Sequence, residues 1–184
     1  FLELFTTGIE ELWADYLIRG CTDILALPPA TDGGTYVVHN NDLGPNSLES
    51  VTAVEFSFDD GTKLLSIGIT GIFVSIGYNS NRICLTGNEV APNDNKIGIP
   101  RLYQARAILS AQSFKEAIAI AANPDRASSY NNIISSPGEA ADIEASATDY
   151  QIIYPENGLL SHSNHYVTPL MTKYESQPNY ASSI

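Results

Sequence analysis

One helical block, flanked on both sides by short strand-like runs, is the feature that most restricts this chain. From Cys21 the sequence alternates apolar runs with turn residues. "CTDILAL" and "TYVVHNND" are separated by "PPATDGG" and read as a hairpin. "SVTAVEFSFDD" and "GTKLLSIGITGIFVSIGY" read as further strands turning at Asp60-Gly61, and "NRICLTGNEV" as another. Helical spacing then takes over. Pro100 suits the start of a helix whose apolar face is Leu102, Ala105, Ile108 and Leu109. Ser113 and Glu116 form a capping box for a second helix carrying Phe114, Ala117, Ile118 and Ala121, which Asn123-Pro124 ends. "SSYNNIISS", "AADIEAS", "DYQIIYP" and "GLLSHSNHYV" return to strand patterning, and the chain from Thr168 on reads as polar loop. A further helix is expected over residues 3–18, from Leu4, Ile9, Leu12, Trp13, Tyr16 and Leu17. Strands, then helices, then strands predict an α+β layered domain rather than a doubly wound sheet.

Composition narrows the function. At 184 residues and 43% hydrophobic, the chain builds one domain with a real core. A net charge of −12 argues against nucleic acid and against an anionic membrane surface as partners. No apolar run approaches a membrane span. No secretory signal is visible in the first twenty residues, and because the chain begins with Phe1 further residues are expected upstream, which leaves its compartment open. There is no GxGxxG after a strand and no GxxxxGK[ST]. His162 and His165, three apart in an extended run, face opposite sides, and His39 is the only other histidine, so no metal site is expected.

The chemistry concentrates on one cysteine. Cys21 follows Gly20 at the threshold of a strand, and Cys84, the other cysteine, reads as core. Cys21 could be a small hydrophobe at a strand start. It could instead be a nucleophile that becomes residue one when the Gly20–Cys21 bond is cut. An α-amine has an ordinary pKa of roughly 7.7–8.0, within reach of a neutral, base-competent form. Glycine before the nucleophile permits a close approach at the scissile carbonyl.

Several segments carry a resemblance when taken in order: "RGCT", "VVHNNDLGP", "GYNSNRICLTGNEV", "GIPRLYQARAILSAQSFKEAIAIAANPDRASSYN", "AADIEAS" and "GLLSHSNHYVTP". From about Gly20 to Pro169 the chain resembles the acyl-CoA:6-aminopenicillanate acyltransferase-like family of N-terminal-nucleophile hydrolases. It is more distantly similar to choloylglycine hydrolase and penicillin V acylase. The resemblance implies a four-layer αββα sandwich with antiparallel sheets, incomplete here at both ends. Residues 1–20 would end the pro segment, and 21–184 would form the core up to a truncated C-terminus. A sheet lacking its last strands would leave an exposed edge. The resemblance implies that Cys21 is the nucleophile, freed by self-cleavage after Gly20. It implies that Asp42 holds the new α-amine, Asn164 donates to the oxyanion and Asn88 is a second active-site asparagine. It puts Ser146 at a pocket position. His39 stands where bile-salt-type relatives carry arginine, and Asn41 where acyltransferase relatives carry tryptophan, so both are candidate substrate contacts. No cofactor is implied, although an acyl-CoA could serve as substrate. The implied partners are a small acyl amide or thioester and the chain's own cleaved segment, and a homo-oligomer is compatible with both.

Duller readings stand beside these. Asp42 before Leu-Gly-Pro could be turn chemistry, Asn88 a strand end, Asn164 a strand-edge polar residue and Asn79 an ordinary turn. Arg101 and Arg106 read as solvated or snorkelling helix residues rather than catalytic ones. At the level of function, the alternative to an enzyme is an unprocessed protein on the same fold that binds a ligand or partner.

Overall fold

A computed structural model describes residues 20–43, 45–69, 74–128 and 130–176. The helix expected over 3–18 lies outside these residues. The strands are β1 (Cys21–Ala26), β2 (Tyr36–Asn41), β3 (Val51–Ser57), β4 (Lys63–Ile69), β5 (Gly77–Asn79), β6 (Cys84–Asn88), β7 (Asn131–Ser136), β8 (Glu139–Ala145), β9 (Tyr150–Ile153) and β10 (Leu159–His162). Two helices, α1 (Arg101–Ile108) and α2 (Phe114–Ala121), interrupt them between β6 and β7. β3 to β9 form a seven-stranded sheet in sequence order, and β10-β1-β2 a three-stranded one. Every ladder in both sheets is antiparallel. The α+β class and the antiparallel sheets expected from the sequence are therefore present.

Local chemistry explains the elements. The β3–β4 turn closes through Gly61 N–H to Phe58 O, and Gly61 takes φ +86, a conformation open to a residue without Cβ. Ser113 caps α2 by accepting from Glu116 N–H at 3.3 Å. The return arm of the box is displaced by one residue: Glu116 Oε2 accepts from Gln112 N–H instead. β10 is shorter than expected. It stops at His162, and the residues after it fold as a loop against β8. The segment beyond Thr168 is also more ordered than its polarity predicts, because Met171 is fully buried against Val90 and Tyr166.

Alternation along the strands defines two interfaces. Leu85, Ile134, Ala141, Ile143 and Ala145 face the helices and pack with Ala105, Ile108, Ala117 and Ala121. The opposite face meets the three-stranded sheet, where Leu25 and Leu160 pack on Ile133 and Ala140. The described residues thus stack as helices, large sheet, small sheet. Among the described residues β2 is an edge strand of the small sheet, and Ile24, Tyr36 and Val38 are exposed on that sheet's outer face.

Candidate active site

Cys21 opens β1, and four other segments end around it. β2 ends beside it, with Cys21 opposite Asn41 in register. β6 delivers Asn88 and then Glu89, and β7 begins with Asn131 directly opposite Asn88. The loop after β10 supplies Asn164. Cys21 is buried, since β1 alternates inward Cys21, Asp23 and Leu25 with outward Thr22 and Ile24.

The peptide bond before Cys21 is held from both sides. The Cys21 N–H donates to Asn164 Oδ1 at 2.6 Å. On the other side of the bond, the Gly20 carbonyl accepts from Asp42 N–H at 2.7 Å. Asn164 Nδ2 donates to the Glu89 carbonyl at 2.8 Å, which leaves its second hydrogen available. A Cβ at Gly20 would collide with Asp42 Oδ2, so any larger residue there displaces the carboxylate. Asn40 Nδ2 holds the other carboxylate oxygen at 2.8 Å. The thiol is 3.7 Å from Asn41 Oδ1, long even for a sulfur donor. Burial pushes the thiol's pKa up, opposed by the Glu89 main chain, the Asn164 side chain and the positive charge of Arg101. The thiol therefore stays protonated near neutrality, and attack needs a base.

Arg101 departs from the sequence reading. It is only 8% exposed, at the start of α1, with its guanidinium stacked over the Tyr130 ring. Asn79 departs as well. It is fully buried, donating to the Leu109 and Ala111 carbonyls and accepting from Ile83 N–H, so it ties the turn to the end of α1.

Below Cys21 the layer between the sheets is polar. Asp23 lies opposite both His39 and His162 in register. His39 Nδ1 is 3.1 Å from Asp23 Oδ1, so this candidate substrate contact is engaged inside the sandwich. His162 Nδ1 meets the Ser163 carbonyl at 2.7 Å and Nε2 meets Glu144 Oε1 at 2.8 Å. Both ring nitrogens face acceptors, which calls for an imidazolium. Burial opposes that charge, but Glu144 and Asp142 raise the pKa above the ordinary histidine value. Glu144 in turn collects Val167 N–H, Thr168 N–H and Thr168 Oγ1–H. Burial disfavours its charge, yet these donors and His162 hold its pKa below the ordinary carboxylate range. This clasp fixes the loop that carries Asn164. Sequence reasoning missed it, because an acidic residue in a strand reads as solvent-facing.

Ser146 is engaged elsewhere. It is fully buried and donates to Asp94 Oδ2 at 2.8 Å, in a knot where Asp94 also accepts from Ala147, Thr148 and the Thr148 hydroxyl. The guanidinium of Arg126 closes that knot on the Ser146 and Asp149 carbonyls. A groove of about 460 Å³ lined by Leu27, Pro29, Phe114 and Tyr154 lies at the far end of β1 from Cys21, away from this chemistry. Among the described residues no three His, Cys, Asp or Glu side chains gather as a metal site, and none of their helices is long and apolar enough to cross a membrane.

Comparison with known proteins identifies the family. Residues 30–183 match the family described as acyl-coenzyme A:6-aminopenicillanic acid acyl-transferase, a span that begins after Cys21. No curated protein matches the chain. Among solved structures it is similar to a Caenorhabditis elegans N-acylethanolamine-hydrolyzing acid amidase ortholog, with TM-score 0.63 and 14% identity, covering 80% of this chain and 71% of that one. It also matches a mutant conjugated bile acid hydrolase from Clostridium perfringens at TM-score 0.44 and 12% identity, over 85% of this chain but only 48% of that one. With a matched span covering most of its length and two antiparallel sheets under a helical layer, the chain belongs to the acyl-coenzyme A:6-aminopenicillanic acid acyltransferase family, on an N-terminal-nucleophile-hydrolase fold.

Proposed function

We propose that this protein is an N-terminal-cysteine amidohydrolase or acyltransferase that acts on a linear amide or thioester through an acyl-enzyme on Cys21. The observation that carries this reading is the grip on the Gly20–Cys21 peptide. Its carbonyl faces the Asp42 N–H and its nitrogen faces Asn164 Oδ1. Donation to the carbonyl oxygen favours attack at the carbon, because charge develops on that oxygen. Cys21 Sγ bonds to the Gly20 carbon, the C–N bond breaks, and its nitrogen takes the thiol proton. Water then splits the thioester, leaving a Gly20 carboxylate and Cys21 as residue one with a free α-amine.

That amine is the base which the raised thiol pKa calls for. In turnover it takes the thiol proton as sulfur attacks the substrate carbonyl, and it protonates the leaving amine or thiolate. Water or an acceptor amine releases the acyl group. Asp42, whose carboxylate crowds Gly20 on the other side of the scissile bond, is the carboxylate assigned to orient the amine. The free hydrogen of Asn164 Nδ2 is directed to the oxyanion, a kind of contact that contributes roughly 2.7–4 kcal/mol to transition-state stabilisation. Asn88 is the second asparagine of the site, and Asn41 borders the acyl pocket.

Intact mass of wild type against Cys21→Ala tests the reading. Wild type yields a fragment that begins at Cys21, and the variant stays whole. Identical masses apart from the substitution would leave the chain a non-catalytic binding domain, a reading favoured by the buried, protonated thiol. A panel of acyl amides and thioesters then separates hydrolysis from transfer and names the acyl group. Full rate in Asn164→Ala on every substrate would remove the oxyanion role.

A further inference from the structure

The loop that carries Asn164 is held by one carboxylate at both of its ends. At the near end, His162 Nε2 meets Glu144 Oε1 at 2.8 Å. At the far end, Val167 N–H donates to the same oxygen at 2.6 Å, and Thr168 N–H donates to Oε2 at 3.0 Å. The other nitrogen of the ring reaches forward along the chain. His162 Nδ1 meets the Ser163 carbonyl at 2.7 Å, and that carbonyl belongs to the peptide that leads into Asn164. From there the Asn164 side chain accepts from Cys21 N–H and donates to the Glu89 carbonyl.

Hydrogens can be counted from these positions alone. A carbonyl only accepts, so Nδ1 carries a hydrogen. Nε2 and Oε1, 2.8 Å apart, need a second hydrogen between them. A neutral imidazole beside a carboxylate has only one to offer. Its Nδ1–H form turns a lone pair on Glu144, and its Nε2–H form turns one on the Ser163 carbonyl. The second form keeps the stronger bond to the buried anion, so the Ser163 contact is the one given up.

We propose that His162 is a positioning residue: as an imidazolium bridging Glu144 and the Ser163 carbonyl, it fixes the Ser163–Asn164 peptide and so aims the Asn164 side chain at the Cys21 site, and loss of its second proton releases that aim.

The groups around the ring favour the second proton. Glu144 and Asp142 act on it from β8. Asp23 lies opposite it in register on β1 and is engaged with His39 of β2. In the following loop, the His165 ring stacks 6.4 Å away, and a charge there would oppose the imidazolium. Tyr166 is kept neutral by burial, with its hydroxyl on the Ala145 carbonyl. At His162 itself burial opposes the charge. The Glu144 hydrogen bond, the Asp142 and Glu144 carboxylates and the Ser163 carbonyl outweigh it and raise the pKa above the ordinary histidine value. Burial of Glu144 is likewise outweighed by its donors, which hold it ionised and put the shared hydrogen on Nε2. The amine base and the thiol both gain reactivity as pH rises, so a loss of rate above the ordinary histidine range belongs to neither.

This inference rests on the acyl-transfer reading for its effect on rate, but not for the aim of Asn164. The first measurement is nitrogen-edited NMR of the full chain across pH. His162 is expected to show both ring N–H groups below its midpoint, and the Asn164 side-chain amide signal to shift with that same midpoint. A single ring N–H throughout, or an Asn164 signal that ignores the His162 titration, overturns the proposal whatever the activity. The second is the pH profile of Gly20–Cys21 scission. In wild type the rate falls about tenfold per unit above the His162 midpoint. Glu144→Gln offers an amide N–H to a neutral Nε2, so Nδ1–H serves Ser163 at every pH. The falling limb disappears, and the low-pH rate stays within about tenfold despite the lost acceptor for Val167. His162→Gln reaches Glu144 through its amide but not the Ser163 carbonyl, so it folds and its low-pH rate drops about tenfold or more. An unchanged falling limb in a folded Glu144→Gln, or a wild-type rate in a folded His162→Gln, also overturns the proposal. A chain whose Asn164 signal tracks His162 but which shows no scission retires the acyl-transfer reading and leaves the positioning of Asn164 standing.

Discussion

The two faces of the seven-stranded sheet are made by the same strands and behave as different materials. Toward the helices, β6, β7 and β8 present Leu85, Ile134, Ala141, Ile143 and Ala145. Toward the small sheet, one residue along, they present Thr86, Asn88, Asn131, Asp142 and Glu144. Both sets are buried. The first face is held by contact area and close packing, which are non-directional and indifferent to pH. The second is held by paired charges and oriented amides, which are directional and carry protons. On the proposed reading, one sheet then serves as both scaffold and active-site wall.

The largest expected effect comes from breaking the charged face at its clasp. Glu144→Ala leaves His162 without its buried partner and should cost about 3–5 kcal/mol in chemical denaturation. It should also release the Val167 and Thr168 amides to rapid hydrogen exchange. A loss below about 1 kcal/mol would mean that the pair behaves as an exposed one. The matching cut on the dry face, Ile134→Ala, should cost about 2–5 kcal/mol through lost burial and a cavity, by the same amount at pH 5 and pH 7.5.

Acidity sharpens the contrast further. The folded chain holds the Asp142 proton more tightly than the unfolded chain does. Its contribution is complete below the ordinary carboxylate range and is lost as pH rises to about 7. His162 is raised too, so its contribution is lost as pH rises past its folded value. Glu144 is depressed, and its contribution disappears only when pH falls through that low value. Stability should therefore peak on the mildly acidic side of neutrality and decline toward alkaline pH. Asp142→Asn should flatten the decline, whereas Ile134→Ala should lower the curve without reshaping it. A maximum at alkaline pH would contradict the assignment of charges. The smallest of these effects is Ser113→Ala in the helical layer, which removes the α2 cap at a cost of about 1 kcal/mol at any pH.

The same contrast explains what was legible in the sequence. Helix faces, turn glycines and the strand order could be read because they depend on local periodicity and on residues within a few positions of one another. Cys21, Asn41, Asp42 and Asn164 could be gathered only through resemblance, and they do meet at one end of the sheets. "AADIEAS" shows the limit. Alternation reveals that Asp142 and Glu144 share a face, but not whether that face meets water or a second sheet. Arg101 and Asn79 were misjudged for the same reason, since nothing near them in sequence announces Tyr130 or the end of α1 as a partner.

The close approach of Asp42 to Gly20 has a consequence for direction. On the proposed reading, scission turns an uncharged carbonyl into a carboxylate beside an existing one. Like unit charges repel by about 1 kcal/mol at a separation of ~4 Å in water and by more where solvent is excluded. The cut would then behave as a ratchet: the severed end is pushed off as soon as it forms, and rejoining is disfavoured. A peptide copy of the leading segment ending in a Gly20 carboxamide should accordingly bind the processed protein more tightly than the same peptide ending in the acid. Equal affinities would show that Asp42 exerts no such push.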